Sequence, residues 1–168
     1  MEFPIVVLGD ASVGKTSLIS QYKWNNLPTH EDSTREMTFW LINKPILCPK
    51  DKLKVWDTPG RRRFQNVVRS NLPESKGALV VYDIHDRESY RKARDWVAEL
   101  KALKRSDKFI IVLVGNKVDI AKGREVSTAE AKDYAKRHDL ICKETSAVTK
   151  CNVAACFDEL IKASLAEN

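Results

Sequence analysis

Gly9-Asp10-Ala11-Ser12-Val13-Gly14-Lys15-Thr16 is the stretch on which the reading of this chain turns. It fits the pattern G-x-x-x-x-G-K-[ST] at every fixed position. The glycines let backbone N–H groups turn inward around an anion, and a helix opening at Lys15 adds its positive N-terminal end. Lys15 brings a point charge to terminal phosphates, and the Thr16 hydroxyl is a hard oxygen ligand of the kind Mg²⁺ takes. The preceding run, Phe3-Pro4-Ile5-Val6-Val7-Leu8, reads as a buried strand. The octet therefore lies between a strand and a helix, which is the context the motif needs.

Outward from this loop, strand-length apolar runs alternate with helix-length amphipathic stretches. Met37 to Ile46 and Lys52 to Asp57 read as paired strands joined by the turn Cys48-Pro49-Lys50-Asp51. Lys52 and Lys54 alternate with Leu53 and Val55, so one face of that second strand is solvated. Gly77 to Tyr82 and Phe109 to Gly115 are continuous apolar runs, the pattern of parallel strands covered on both faces. Tyr90 to Leu103 sets Ala93, Trp96, Val97, Leu100 and Leu103 on one helical stripe. Ser127-x-x-Glu130 predicts a capped helix start, a short strand follows at Leu140-Ile141-Cys142, and a last helix runs from about Asn152. The expected fold class is α/β: a six-stranded, mostly parallel sheet with helices on both faces, in one domain over residues 1–168.

Composition narrows the class without selecting a function. The chain has 168 residues, close to one domain's length, with 43% hydrophobic and 31% charged residues. That composition excludes disordered and fibrous chains. Lys and Arg number 29 against 23 Asp and Glu, a net charge of +6. This surplus permits an acidic partner and names none. The first residues lack the basic lead of a signal peptide, and no apolar run approaches the ~20 residues that cross a bilayer. Cys48, Cys142, Cys151 and Cys156 form no C-x-x-C pair and read as buried free thiols of a reducing compartment. His30, His85 and His138 are scattered and receive no chemistry. A cytoplasmic protein is expected.

A second motif narrows the nucleotide. Asn116-Lys117-Val118-Asp119 follows the apolar strand ending at Gly115, where open α/β sheets bind ligands. A carboxylate at Asp119 can accept two hydrogen bonds from the N1–H and exocyclic amine of guanine. Adenine offers no such pair of donors. Read alone, N-K-x-D is also a polar loop capping a helix.

Together these motifs resemble the Ras superfamily of small GTPases, most nearly its Rab branch, from about Phe3 to Leu165. Asp57-Thr58-Pro59-Gly60 resembles the D-x-x-G of switch II, Thr34 stands at the switch I threonine, and Glu144-Thr145-Ser146-Ala147 is similar to the last base-contacting loop. The Rab flavour comes from Lys52 to Trp56, from Phe39 and from Gly77 to Asp83. The resemblance implies GTP or GDP with Mg²⁺, and a GTP phosphohydrolase acting as a switch in vesicle traffic. It implies a catalytic set of Lys15, Thr34, Gly60 and Arg61, and metal ligation by Thr16, Thr34 and Asp57. It implies nucleotide contacts from Ser12, Val13, Gly14, Lys15, Thr16, Ser17, Leu27, Thr34, Gly60, Asn116, Lys117, Asp119, Ser146, Ala147 and Val148. Effectors, an exchange factor and a GTPase-activating protein would engage the surface around Phe39, Trp56, Arg61, Arg62 and Arg63. No nucleic acid is expected, and the chain is expected to be a monomer.

The departures from the family pattern are informative. Arg61 stands where glutamine normally orients the attacking water, and a guanidinium cannot accept a hydrogen bond from that water. Pro59 replaces an alanine and fixes φ near roughly −65° before Gly60. Leu27 takes the place of an aromatic ring, and Val148 that of a lysine. Slow hydrolysis and fast nucleotide release are expected. Rab chains usually end in a prenylated tail, whereas this sequence stops at Asn168, so either it is not lipid-anchored or it is one domain of a longer chain. A non-hydrolysing GTP-binding scaffold is the alternative, and an ATP-dependent phosphotransferase would leave Asn116 and Asp119 without a role.

Overall fold

Alternation along the first strand sets the architecture. In β1 (Glu2–Gly9), Ile5 and Val7 face one side of the sheet while Val6 and Leu8 face the other, and all four are fully buried. A strand buried on both faces must lie inside a sheet covered by helices on both sides. The computed structural model describes residues 1–29, 36–61, 66, 69, 70, 72–103 and 108–166. In it, α1 (Lys15–Trp24) and α4 (Val153–Ala166) cover one face, while α2 (Arg87–Leu103) and α3 (Thr128–Arg137) pack on the other.

The six strands lie in the order β2-β3-β1-β4-β5-β6, with β2 (Thr38–Asn43), β3 (Lys52–Asp57), β4 (Gly77–Asp83), β5 (Ile110–Asn116) and β6 (Ile141–Glu144). Among the described residues only β2 with β3 is antiparallel; the other pairings are parallel. The expected six-stranded, mostly parallel sheet with helices on both faces is what the chain forms. β2 is shorter than the expected Met37 to Ile46, because Pro45 has no N–H to give the ladder. α2 begins three residues before the expected Tyr90, because Asp86 accepts from the N–H groups of Glu88 and Ser89 at 3.0 and 3.3 Å and caps it. The Ser127 hydroxyl accepts from the Glu130 N–H at 3.1 Å, as the capping pattern predicts.

The thiols depart from the sequence reading. Cys156 is buried and Cys142 half-buried, but Cys48 and Cys151 are exposed, since both lie in turns rather than on a core-facing stripe. Among the described residues no helix is long and apolar enough to cross a membrane.

On the α1/α4 face, Phe157 is fully buried and stacks on Tyr22 with ring centroids 4.2 Å apart. The Tyr22 hydroxyl donates to Asp158 at 2.7 Å, so α4 holds α1 in place behind the phosphate loop. Removing this ring leaves a cavity that rigid secondary structure cannot close. Phe157→Ala is expected to cost about 3–5 kcal/mol, read from the urea midpoint at an unchanged m-value. A loss well below 1 kcal/mol would show that this packing does not hold the two helices together.

Candidate functional site

Every parallel strand ends at one rim of the sheet. Gly9, Asp57, Asp83, Asn116 and Glu144 close β1, β3, β4, β5 and β6, and a cleft of about 410 Å³ opens beside them. This is where open α/β sheets place their ligands.

The floor of the cleft is the loop before α1. Gly14 takes φ 97°, a conformation a side chain resists, and a Cβ there would stand 2.4 Å from the Asn116 amide nitrogen. Among the described residues no side chain caps α1, and its first residues, whose N–H groups have no such cap, line the cleft. Lys15 is only 6% exposed, and its ammonium donates to the Gly9 and Asp10 carbonyls at 3.0 and 2.7 Å. Burial pushes its pKa down to about 8, against the pull of Asp57 and Asp10. Inward amides and a poorly solvated cation make a cradle for a phosphate chain.

Beside it, the Thr16 hydroxyl donates to one oxygen of Asp57 at 2.7 Å. The other Asp57 oxygen is buried, and among the described residues it has no hydrogen-bond partner. Burial raises the carboxyl's pKa, against the Thr16 hydroxyl and the Lys15 charge. Two hard oxygen groups side by side, one with an unused lone pair, fit Mg²⁺. Gly60 presses against the same loop: a Cβ there would lie 2.4 Å from the Ala11 nitrogen. Arg61 is exposed at the mouth beside it.

The far end of the cleft is held from β5. The Asn116 amide donates to the Val13 carbonyl and accepts from the Thr145 hydroxyl, both at 2.9 Å. Lys117, at φ 72°, spans the loop to the Ser12 carbonyl at 2.7 Å. Asp119 accepts from the buried Ser146 hydroxyl at 2.8 Å. Leu27, Ile120 and Val148 form the apolar walls at this end.

Of the residues read from sequence, Ser12, Gly14, Lys15, Thr16, Ser17, Leu27, Gly60, Arg61, Asn116, Lys117, Asp119, Ala147 and Val148 line one cleft. Val13 is buried in the core with only its backbone near the loop, Ser146 lies behind Asp119, and Asp57 lies behind Thr16. Thr34, Arg62 and Arg63 lie outside the described residues. Sequence reasoning missed Ala11, Pro28, Thr58 and Ile120 in the lining, although each adjoins a motif. It also missed Gln21, whose amide donates to the Ala147 carbonyl at 2.6 Å.

Comparison with known proteins agrees with this geometry. The model of the Ras family matches residues 4–166. The chain belongs to the Ras family. Within that family several similar proteins carry Rab names. Ras-related protein Rab-5A of Dictyostelium discoideum is 37% identical over 161 residues, covering 96% of this chain and 80% of that protein. Ras-related protein Rab-30 of Homo sapiens is 36% identical over 158 residues, covering 94% of this chain and 77% of that protein. Ras-related protein RABA5d of Arabidopsis thaliana is 38% identical over 161 residues, with 95% and 73% covered. The chain is thus a Rab-like member, with the α/β fold of the P-loop GTPases. Ras-family proteins are GTP-binding switches and GTPases that bind GTP and GDP with Mg²⁺.

The buried ammonium gives a pH test. Its pKa in the folded chain, about 8, lies below the 10.5 of a free lysine, so between those values the unfolded chain binds more protons. Stability from this group therefore rises with pH across that window. With nucleotide stripped, Lys15→Met is expected to be more stable than wild type at neutral pH by on the order of 2–3 kcal/mol. That advantage should shrink toward the alkaline end, in paired urea titrations. A gap equal at both ends would mean that Lys15 does not carry a suppressed charge.

Proposed function

We propose that this Rab-like chain is a guanine-nucleotide switch of vesicle traffic whose own GTP hydrolysis is slow. The observation that carries the proposal is Arg61 at the cleft mouth, next to Gly60 and within the same cleft as Lys15. The Asp119 carboxylate accepts from the guanine N1–H and amine, with Lys117 along the ring and the Ala147 N–H toward the base oxygen. Asn116 and Ser146 brace these groups. The N–H groups of Ser12, Val13, Gly14, Lys15, Thr16 and Ser17 and the Lys15 ammonium bind the phosphates. Thr16, Thr34 and Asp57 would hold Mg²⁺, which would supply positive charge against the negative charge of the phosphates.

Hydrolysis needs a water aligned on the γ-phosphate. In the Ras example of phosphoryl transfer, a glutamine performs that alignment. A guanidinium has only donors, so Arg61 can steady phosphate oxygens yet cannot take a hydrogen bond from the nucleophile. Pro59, buried before Gly60, adds stiffness to the segment whose N–H would sense the γ-phosphate. The same pair of residues favours a second reading, a GTP-holding scaffold that does not turn over. The two readings differ in measured turnover alone.

Effectors and regulators would engage the surface beyond the cleft. Phe39, 50% exposed, meets Trp56 edge-on at 5.2 Å, and the Lys54 ammonium lies 4.6 and 4.8 Å from the two ring centroids. With the exposed Arg61, this offers aromatic faces and positive charge to an acidic partner, to which Arg62 and Arg63 add charge in the sequence. The protein would act as a monomer in the cytoplasm, peripheral on membranes if a lipidated tail follows.

Two measurements follow. In single-turnover assays, Arg61→Gln is expected to hydrolyse GTP at least about tenfold faster than wild type. A wild-type rate equal to or above the variant's would sink the slow-hydrolysis reading. Leu27, 38% exposed, offers the base an aliphatic edge in place of a ring. Leu27→Phe is expected to slow release of a fluorescent guanine nucleotide several-fold, the effect of about 1 kcal/mol of aromatic contact. Unchanged release would remove Leu27 from the base site.

A further inference from the structure

His85 received no chemistry from its sequence surroundings, yet both of its ring nitrogens are engaged. Nδ1 lies 2.9 Å from Asp83 Oδ1, and Nε2 lies 2.9 Å from the Ile120 carbonyl oxygen. A carbonyl oxygen can only accept, so Nε2 must carry a proton. Asp83 Oδ1 already accepts from the His85 backbone N–H at 2.9 Å, and Oδ2 faces the Lys117 ammonium at 3.2 Å. Burial works against the Asp83 carboxylate, but these donors and the Lys117 charge hold its pKa below the ordinary range. An ionised carboxylate also only accepts, so Nδ1 must carry a proton too. Only the imidazolium satisfies both contacts. A neutral ring keeps one and turns a lone pair on the other oxygen.

Both partners belong to the base end of the cleft. Ile120 forms its apolar wall, and Lys117 spans it to Ser12. The loop from Asn116 to Ile120 also holds Lys117 at a positive φ of 72°, a conformation a side chain resists unless its surroundings hold it there. We propose that His85 is a positioning residue for the nucleobase: doubly protonated, it ties Asp83 to the Ile120 carbonyl and firms the Asn116–Ile120 loop, so that grip on the base strengthens as pH falls. This deepens the guanine-nucleotide reading of the cleft and rests on it.

The other charged groups nearby are already committed. Asp86 caps α2 through the N–H groups of Glu88 and Ser89. Glu125 accepts from the Arg87 N–H at 2.8 Å, and the Arg87 guanidinium pairs with Glu130 at 2.8 Å. Asp119 takes the Ser146 hydroxyl, and Arg124 donates to the Val126 carbonyl at 2.7 Å. Glu88 pairs with Arg91, and Lys122 is exposed on the 117–125 loop. Histidine is the side chain whose charge changes in the mild pH range.

The test is release of fluorescent GDP from wild type and His85→Gln, read as the ratio of the two rates so that protonation of the nucleotide cancels. Glutamine can serve one of the two acceptors, as a neutral ring does. The variant is expected to release roughly threefold to tenfold faster than wild type at about pH 5.5, the worth of one hydrogen bond, and at nearly the same rate at about pH 8. A ratio that does not change with pH would overturn the proposal, whatever its size. A correlation spectrum of the ring nitrogens of wild-type His85 needs no variant: slowly exchanging, hydrogen-bonded N–H protons on both nitrogens support the brace, and a hydrogen-bonded proton on only one refutes it. If wild type binds no guanine nucleotide at any pH, the reading of the cleft itself has failed. That outcome is distinct from a pH-independent ratio in a protein that does bind.

Discussion

One buried carboxamide ties the site together. Asn116, 2% exposed, reaches the Val13 carbonyl on one side and the Thr145 hydroxyl on the other. The phosphate-loop backbone, the end of β5 and the loop after β6 thereby meet at a single side chain. Gly14 lies so close to it that a methyl group would displace it. Further bonds extend the junction: the Val118 N–H donates to the Thr145 carbonyl at 3.1 Å, and Gln21 in α1 holds the Ala147 carbonyl. A buried polar network of this kind is rigid only while every member is satisfied. The two ends of the cleft are therefore not independent, and a change in the base loop is felt by the loop that cradles phosphates.

The electrostatics follow from where the strands stop. Buried polar groups are costly unless paired, and the sheet rim concentrates several of them. Lys15 is pressed down in pKa and Asp57 pushed up, both mainly by burial. Each group holds its charge at a cost that a bound anion or cation would relieve. A fold that keeps these groups dry is organised for a ligand bearing both phosphates and a metal ion. The apolar walls at the other end, with one carboxylate between them, suit a flat heterocycle with donors along one edge.

Much of this was legible in the sequence because it is local. The octet ending in Lys15-Thr16 carries its own geometry, the alternation of Ile5 and Val7 with Val6 and Leu8 marks a doubly covered strand, and Ser127 caps its helix three residues on. What could not be read depends on partners far along the chain. Gln21 finds its acceptor 126 residues away, and His85 bonds to a carbonyl 35 residues on. Neither distance leaves a periodicity or motif behind. Cys48 and Cys151 were misread for a related reason: a small hydrophobe in a turn looks no different in sequence from one on a core stripe. Thr34 and most of the arginine run lie outside the described residues, so the switch reading rests on Gly60, Arg61 and the family to which the chain belongs.

The central claim is that this cleft holds a guanine nucleotide that the chain is slow to hydrolyse. Identifying the nucleotide released when the purified protein is denatured tests it most directly. Guanine nucleotide at close to one per chain is expected, with GTP as the main species. Adenine nucleotide, or none at all, would contradict the reading of Asp119 and the cleft; GDP alone would contradict slow hydrolysis.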